Sequence, residues 1–149
     1  MTINCFVVAL LVALSTGSAI ASPDAKKLDS PEAASRTYAQ NYKDMLLARC
    51  IARAYHSDPH VLDDASSTAS VILEWTYYDA ENSPDAIDQL IRRYLSRNYH
   101  NPLHEYKAVQ FDLLKCFDMY HSQELAAQVK RYVTKPNHTY RRDNPPAKP

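Results

Sequence analysis

Two cysteines place the strongest constraint on how this chain can fold. Cys50 lies in Ala48-Arg49-Cys50-Ile51-Ala52-Arg53-Ala54-Tyr55 and Cys116 in Leu113-Leu114-Lys115-Cys116-Phe117-Asp118-Met119-Tyr120-His121-Ser122. Both stretches repeat their apolar residues at helical spacing, so a bridge between them clamps an early helix to a late one. The third cysteine, Cys5, opens an uncharged apolar run to Leu14 that is too short to span a bilayer and is followed by the small-x-small site Ala19-Ile20-Ala21. Residues 1–21 therefore read as a secretory signal. Cys5 leaves with it, and Cys50 and Cys116 enter an oxidising compartment in which a lone pair is expected to join.

The same maturation removes the only glycine, Gly17. A mature chain without glycine has no residue that takes positive φ freely, which disfavours tight hairpins and Gly-rich phosphate loops. Lys plus Arg equals Asp plus Glu at 17 each, so no global field draws the chain to nucleic acid or to an anionic membrane surface. A specific protein or small-molecule partner is the better match. The 11 tyrosines serve cores and interfaces equally well and do not separate the two.

Along the chain, residues 22–29 form a flexible N-terminal segment, residues 30–133 one helical domain, and residues 134–149 a Pro-rich disordered tail. Ser30-Pro31-Glu32 reads as a cap with Pro at the first helical position of a helix reaching about Tyr55. That helix is apolar on so many sides, with only a narrow Arg49 and Arg53 strip clearly polar, that it should be central. Asp63 or Asp64 caps a second helix with Ala65, Ala69, Ile72, Leu73 and Thr76 on one face, and Trp75 and Val71 are expected to pack on a second neighbour. Ser83-Pro84 starts a third, with Ile87, Leu90, Ile91, Tyr94 and Leu95 inward and Arg92, Arg93 and Arg97 solvated. Asn101-Pro102 starts a fourth, whose arc holds Leu103, Tyr106, Val109, Leu113, Cys116, Phe117 and Tyr120 while Phe111 points the other way. Ser122 caps a short fifth helix with Leu125, Val129, Tyr132 and Val133 inward. The expected fold is all-α, a small single-domain bundle of about five helices with one disulfide.

No catalytic constellation emerges. His100 and His104 are four apart but straddle Pro102, and His56 and His60 bracket Pro59, so neither pair has the one-face geometry of a helical zinc site. No metal and no cofactor is expected. A thiol nucleophile at Cys50 competes with the far commoner fate of a second cysteine in an exported chain. Asp63 and Asp64 serve better as a cap than as a catalytic dyad, and Asn137-His138-Thr139 is a sequon relevant only to a eukaryotic secretory route.

Tyr42-Lys43-Asp44, Leu47 to Tyr55, Asp64-Ala65-Ser66, Lys115-Cys116-Phe117-Asp118-Met119-Tyr120 and Ser122-Gln123-Glu124-Leu125 together resemble the bacterial type VI secretion amidase immunity family, from about residue 40 to 133. The specificity lies in pairing Cys-Ile-Ala-x-x-Tyr with Lys-Cys-x-Asp-x-Tyr-x-Ser at this separation. The chain departs from the expected pattern in its long tail and in a signal with no Lys or Arg before the apolar run. The resemblance implies an exported, periplasmic, non-enzymatic helical protein with no membrane association after signal cleavage. It further implies a homodimer that blocks a kin cell's peptidoglycan amidase, a papain-like cysteine peptidase.

A concave amidase cleft must be entered by something narrow, so an interhelical loop is the expected blocking element. One loop, Asp79 to Ser83, offers Glu81 and Asn82. The other, Asn98 to Pro102, offers Tyr99, His100 and Asn101, with Arg97 placed to pair with an effector carboxylate, and is favoured because a Tyr among polar neighbours suits a pocket-filling anchor. Phe111, opposite the apolar arc of its helix, is assigned to a dimer or crevice contact. The competing classes are an enzyme, which would need a free low-pKa Cys50, and a periplasmic helical chaperone or envelope-stress binding protein, which would bind many unfolded clients.

Overall fold

The computed structural model describes residues 30–99 and 109–145. The expected signal and flexible N-terminal segment lie outside these residues, as do His100 and Asn101. From Pro31 on, the described chain is helical with no named strand, as expected, and holds two isolated antiparallel bridges.

The Ser30-Pro31 signal seeds only a 3-10 turn, Glu32–Ser35, because Arg36 and Thr37 are extended and Thr37 begins a new helix. Thr37 and Gln40 form a capping box: the Thr37 hydroxyl accepts from the Gln40 amide at 3.2 Å, and the Gln40 side chain accepts from the Thr37 amide at 2.9 Å. Helix α1, Tyr38–Ala54, is central as its all-round apolarity requires, packing against α2 (Pro59–Leu73), α3 (Pro84–Leu95), α4 (Asp112–Tyr120) and α5 (Gln123–Tyr132). Tyr38, Tyr42, Met45, Leu46 and Cys50 are wholly buried along it. Asn41 is buried too, and its amide donates to the carbonyls of Ala33 and Trp75 at 2.8 and 3.0 Å, tying the entry turn to the end of α2.

Helix α2 begins earlier than its Asp63-Asp64 pair suggests. Asp58 is the cap, accepting from the amides of His60 and Val61, with Pro59 at the first helical position. The break and the cap are one feature. Ala65, Ala69, Ile72 and Thr76 are buried as expected; Trp75 packs against the core, whereas Val71 is exposed. Ser122 caps α5 through the Leu125 amide at 3.0 Å, and Leu125, Tyr132 and Val133 turn inward.

Helix α4 differs most from expectation. The chain at Val109 and Gln110 is not helical, and Phe111 is left-handed at φ 54°, so the helix starts at Asp112. Its buried side is Lys115, Cys116 and Met119, while Leu113 and Phe117, expected inward, are exposed along with Leu114 and Val109. The left-handed residue at Phe111 breaks the helical phase, so the arc from Asp112 on is not the one that an unbroken helix from Pro102 would present; Pro102, Leu103 and Tyr106 lie outside the described residues. The bridge Cys50–Cys116 is formed, joining wholly buried positions on α1 and α4 with Cα atoms 5.7 Å apart.

The tail is the other correction. Residues 134–145 are packed, because the first two amides of α1, which have no partner within their own helix, donate to the carbonyls of His138 and Pro136 at 2.8 and 3.0 Å. Helix α6, Tyr140–Asp143, follows, and the Tyr38 hydroxyl donates to Asp143 at 3.1 Å. Burial, then this bond, pushes the Tyr38 phenol up to about 12.

Candidate functional site

Helix α3 ends at Leu95 and α4 begins at Asp112, and the chain flanking the connection between them is held by one residue. Lys115 is buried, its side chain 4 % exposed, and its ammonium donates to the Leu95 carbonyl at 3.2 Å and to the Asp112 carboxylate at 2.8 Å. The same ammonium lies 5.9 Å from the centre of the Tyr99 ring. A single cation thus touches the end of one helix, the start of the next and the aromatic residue between. A lysine is found this deep in a fold only when it is paired.

Tyr99 is half-buried and its hydroxyl donates to Asp118 on α4. Burial first, then this carboxylate, raises the phenol above its ordinary value. Arg97 stacks on the Tyr94 ring at 3.6 Å, and hydrogen bonding to Tyr99 raises the guanidinium further. Tyr94 in turn donates to Glu124 at 2.7 Å; that bond, followed by the Arg93 ion pair, holds the Glu124 carboxyl below its usual range. Arg97 and Tyr99 therefore sit on a braced surface. Of the favoured loop's residues, these two are described and adjacent; His100 and Asn101 lie outside the described residues.

Glu81 and Asn82 are elsewhere. They sit before the N-terminus of α3, and its 12 residues separate them from Arg97 by roughly 18 Å along the axis. Their loop is closed on itself: Asp79 accepts from the amides of Glu81 and Asn82 and from the Asn82 side chain, bonds that lower its carboxyl, with Asn82 the larger cause. Asn82 thus enters a contact with its side-chain amide already committed.

Phe111 is partly buried beside an open cleft of about 570 Å³ that Tyr55, Leu113, Leu114 and Phe117 also line. It stands in left-handed backbone, which costs a non-glycine residue about 1–2 kcal/mol. Among the described residues, no group of three His, Cys, Asp or Glu side chains gathers to hold a metal ion.

The paired motifs acquire a common reason from this geometry. Lys115 ties α4 to α3, Cys116 ties it to α1, Asp118 holds Tyr99, the Tyr120 hydroxyl donates to Asp44 at 2.9 Å, and Ser122 caps α5. Lys43 lies 4.3 Å over the Tyr120 ring, so Tyr42-Lys43-Asp44 and the Cys116 stretch meet across the core. Over residues 40–129 the chain matches the family model for Tai4, the type VI secretion system (T6SS) amidase immunity protein. The chain belongs to this family. Immunity to a type VI secreted amidase is accordingly its function, as the paired motifs had implied.

Solved structures agree. A chain from work on new type VI-secreted toxins and self-resistance proteins in Serratia marcescens is 30% identical with a TM-score of 0.69, the match covering 85% of this chain and 98% of that one. A chain from the Tae4/Tai4 effector–immunity system of Salmonella typhimurium is 26% identical with a TM-score of 0.58, the match covering 69% of this chain and 96% of that one. No curated protein matches.

Sequence reasoning missed Lys115, Asp112 and Asp118 as the supports of Tyr99. The available signal was Lys115 itself, a cation one residue from a buried cysteine in a Tai4-like motif.

Proposed function

We propose that this Tai4-family protein binds a cognate peptidoglycan amidase and inhibits it by occluding the active-site cleft with the α3–α4 connection. The observation that carries the reading is the bracing of Tyr99 and Arg97 by Asp118, Lys115 and Tyr94. An aromatic anchor already fixed before docking loses little side-chain entropy on entering a pocket. Arg97 supplies a cation for an effector carboxylate, and His100 and Asn101 extend the contact. The protein acts in the periplasm after signal cleavage near Ala21, as a binding protein without catalytic activity of its own.

It acts as a homodimer. The exposed apolar side chains Tyr55, Leu113, Leu114 and Phe117 around Phe111 form a continuous surface of the kind a second copy covers.

The test replaces Tyr99, His100 and Asn101 together by Ala and measures inhibition of the amidase encoded beside this chain. A large loss of potency with unchanged melting is expected. Full potency in a folded protein moves the contact to Glu81 and Asn82, and full potency with both loops altered refutes loop insertion.

A further inference from the structure

The Arg49 and Arg53 strip on α1 has no part in the contact proposed above, yet it borders a second cleft. This cleft, about 600 Å³, runs between α1, α2 and α3. Its apolar floor includes Ala52, Ala69, Ile87 and Ile91, all buried. Arg49, Arg53 and His56 stand along one wall and Ser66 and Ser70 along the other, with Asp88 the one carboxylate among the lining residues.

Asp88 does not balance this wall. One of its oxygens takes Arg53 and the other takes Arg92, so a single carboxylate already serves two guanidiniums. Arg49, half-buried, has no ion pair among the described residues. The lining therefore holds two arginines against one carboxylate, and that carboxylate is shared with a third arginine. The complement is a carboxylate.

The exposure of the rim decides what kind of molecule carries it. The side chains of Arg53 and Arg92 are 44% and 61% exposed, and an ion pair left that wet contributes at most about 1 kcal/mol. A small free anion would bind weakly here. A protein surface instead covers the rim, excludes water from the pairs and buries apolar atoms against the floor, the usual layout of an interface with a polar rim.

We propose that the α1–α2–α3 cleft receives an acidic segment of the amidase, one of its carboxylates pairing with Arg49, as a second contact distinct from the Arg97 and Tyr99 surface. The proposal rests on the inhibitory reading above. Charge complementarity of this kind acts mainly on the association rate and makes it salt-dependent.

The experiment follows association of the neighbouring amidase with the full-length exported protein at low and high ionic strength. It compares wild type with Arg49→Gln, Arg49→Glu and Ser66→Glu, the last placing a competing carboxylate on the opposite wall without removing a cation. Wild-type association should slow as salt is added. Arg49→Glu and Ser66→Glu should each slow association roughly tenfold at low salt and flatten the salt dependence, with Arg49→Gln between and all melting temperatures close to wild type. Variants that associate at the wild-type rate with the wild-type salt dependence, while wild type inhibits, overturn the cleft assignment and leave the inhibitory reading standing. A wild-type protein that neither binds nor inhibits the amidase overturns the inhibitory reading itself, and the cleft assignment with it. Saturable micromolar binding of tri-glutamate alone, lost in Arg49→Glu, overturns the protein-segment assignment in favour of a small-ligand site.

Discussion

Lys115→Met isolates the buried cation from the volume it fills. Methionine replaces most of the aliphatic stem, so the change removes an ammonium rather than opening a large cavity. What is lost is a 2.8 Å ion pair with Asp112 and a 3.2 Å hydrogen bond to the Leu95 carbonyl. Hydrogen bonds to a charged group contribute about 1.5–3 kcal/mol each, while removing the ammonium relieves its own desolvation. Asp112 is 30% exposed at its side chain and can rehydrate, so the net loss should be about 1–3 kcal/mol, or roughly 4–10 °C in Tm for a domain of this size. Asp112→Ala should cost at least as much, because it leaves the ammonium buried with the Leu95 carbonyl as its one remaining acceptor. Urea and thermal denaturation of the oxidised protein, with the double variant closing a mutant cycle, gives the coupling directly. Single variants within about 0.5 kcal/mol of wild type, or a cycle with no coupling, would refute the reasoning that Lys115 joins the two helix ends.

Removing the Cys50–Cys116 bridge as Cys116→Ser frees a loop spanning 66 positions, for which chain entropy gives about 4 kcal/mol; a purified periplasmic protein with both thiols free would remove the premise. Phe111→Ser should shift sedimentation from dimer toward monomer, and an unchanged profile ends the role of Phe111 in that interface. Asp143 is held below the ordinary carboxylate range by its bond to His138 first and to Tyr38 second, so its contribution is present above about pH 4 and lost as pH falls through the lowered value. Asp143→Asn should flatten the acid limb of the Tm profile, and identical acid limbs would show that the packed tail does not depend on this carboxylate.

The parts of the fold legible in the sequence were those set by local chemistry or by an unavoidable pairing. Ser122 capped the helix it was expected to cap, α1 was central because a helix apolar on most sides needs neighbours, and the two cysteines expected to pair found each other. The start expected at Asn101-Pro102 lies outside the described residues, and nothing in that dipeptide reports the left-handed turn at Phe111 from which α4 begins. Lys115 entered the sequence reading only as a letter of the Lys-Cys-x-Asp-x-Tyr-x-Ser motif. Its i−3 partner Asp112 was visible in the sequence, but the Leu95 carbonyl and the Tyr99 ring come from a different helix and a different turn. Prolines made residues 134–149 look disordered because composition counts apolar area, whereas residues 134–145 are fastened partly by backbone carbonyls that satisfy the first amides of α1.

These supports converge on one stretch of α4. Cys116 holds it to α1 by a covalent bond, and the adjacent Lys115 holds it to the end of α3 by a buried charge. One turn further, Asp118 and Tyr120 fix Tyr99 and Asp44. Helices α3 and α4 are thereby fixed to each other and to the central helix at the point where the chain leaves one and enters the other. An inhibitor that presents residues from a connection gains most when both ends of that connection are already immobile, since ordering them during binding would subtract from affinity. This supplies a physical reason for the spacing of Lys115, Cys116, Asp118, Tyr120 and Ser122: it places four of them on one short helix, reaching α3, α1 and Tyr99, and the fifth at the cap of the helix that follows.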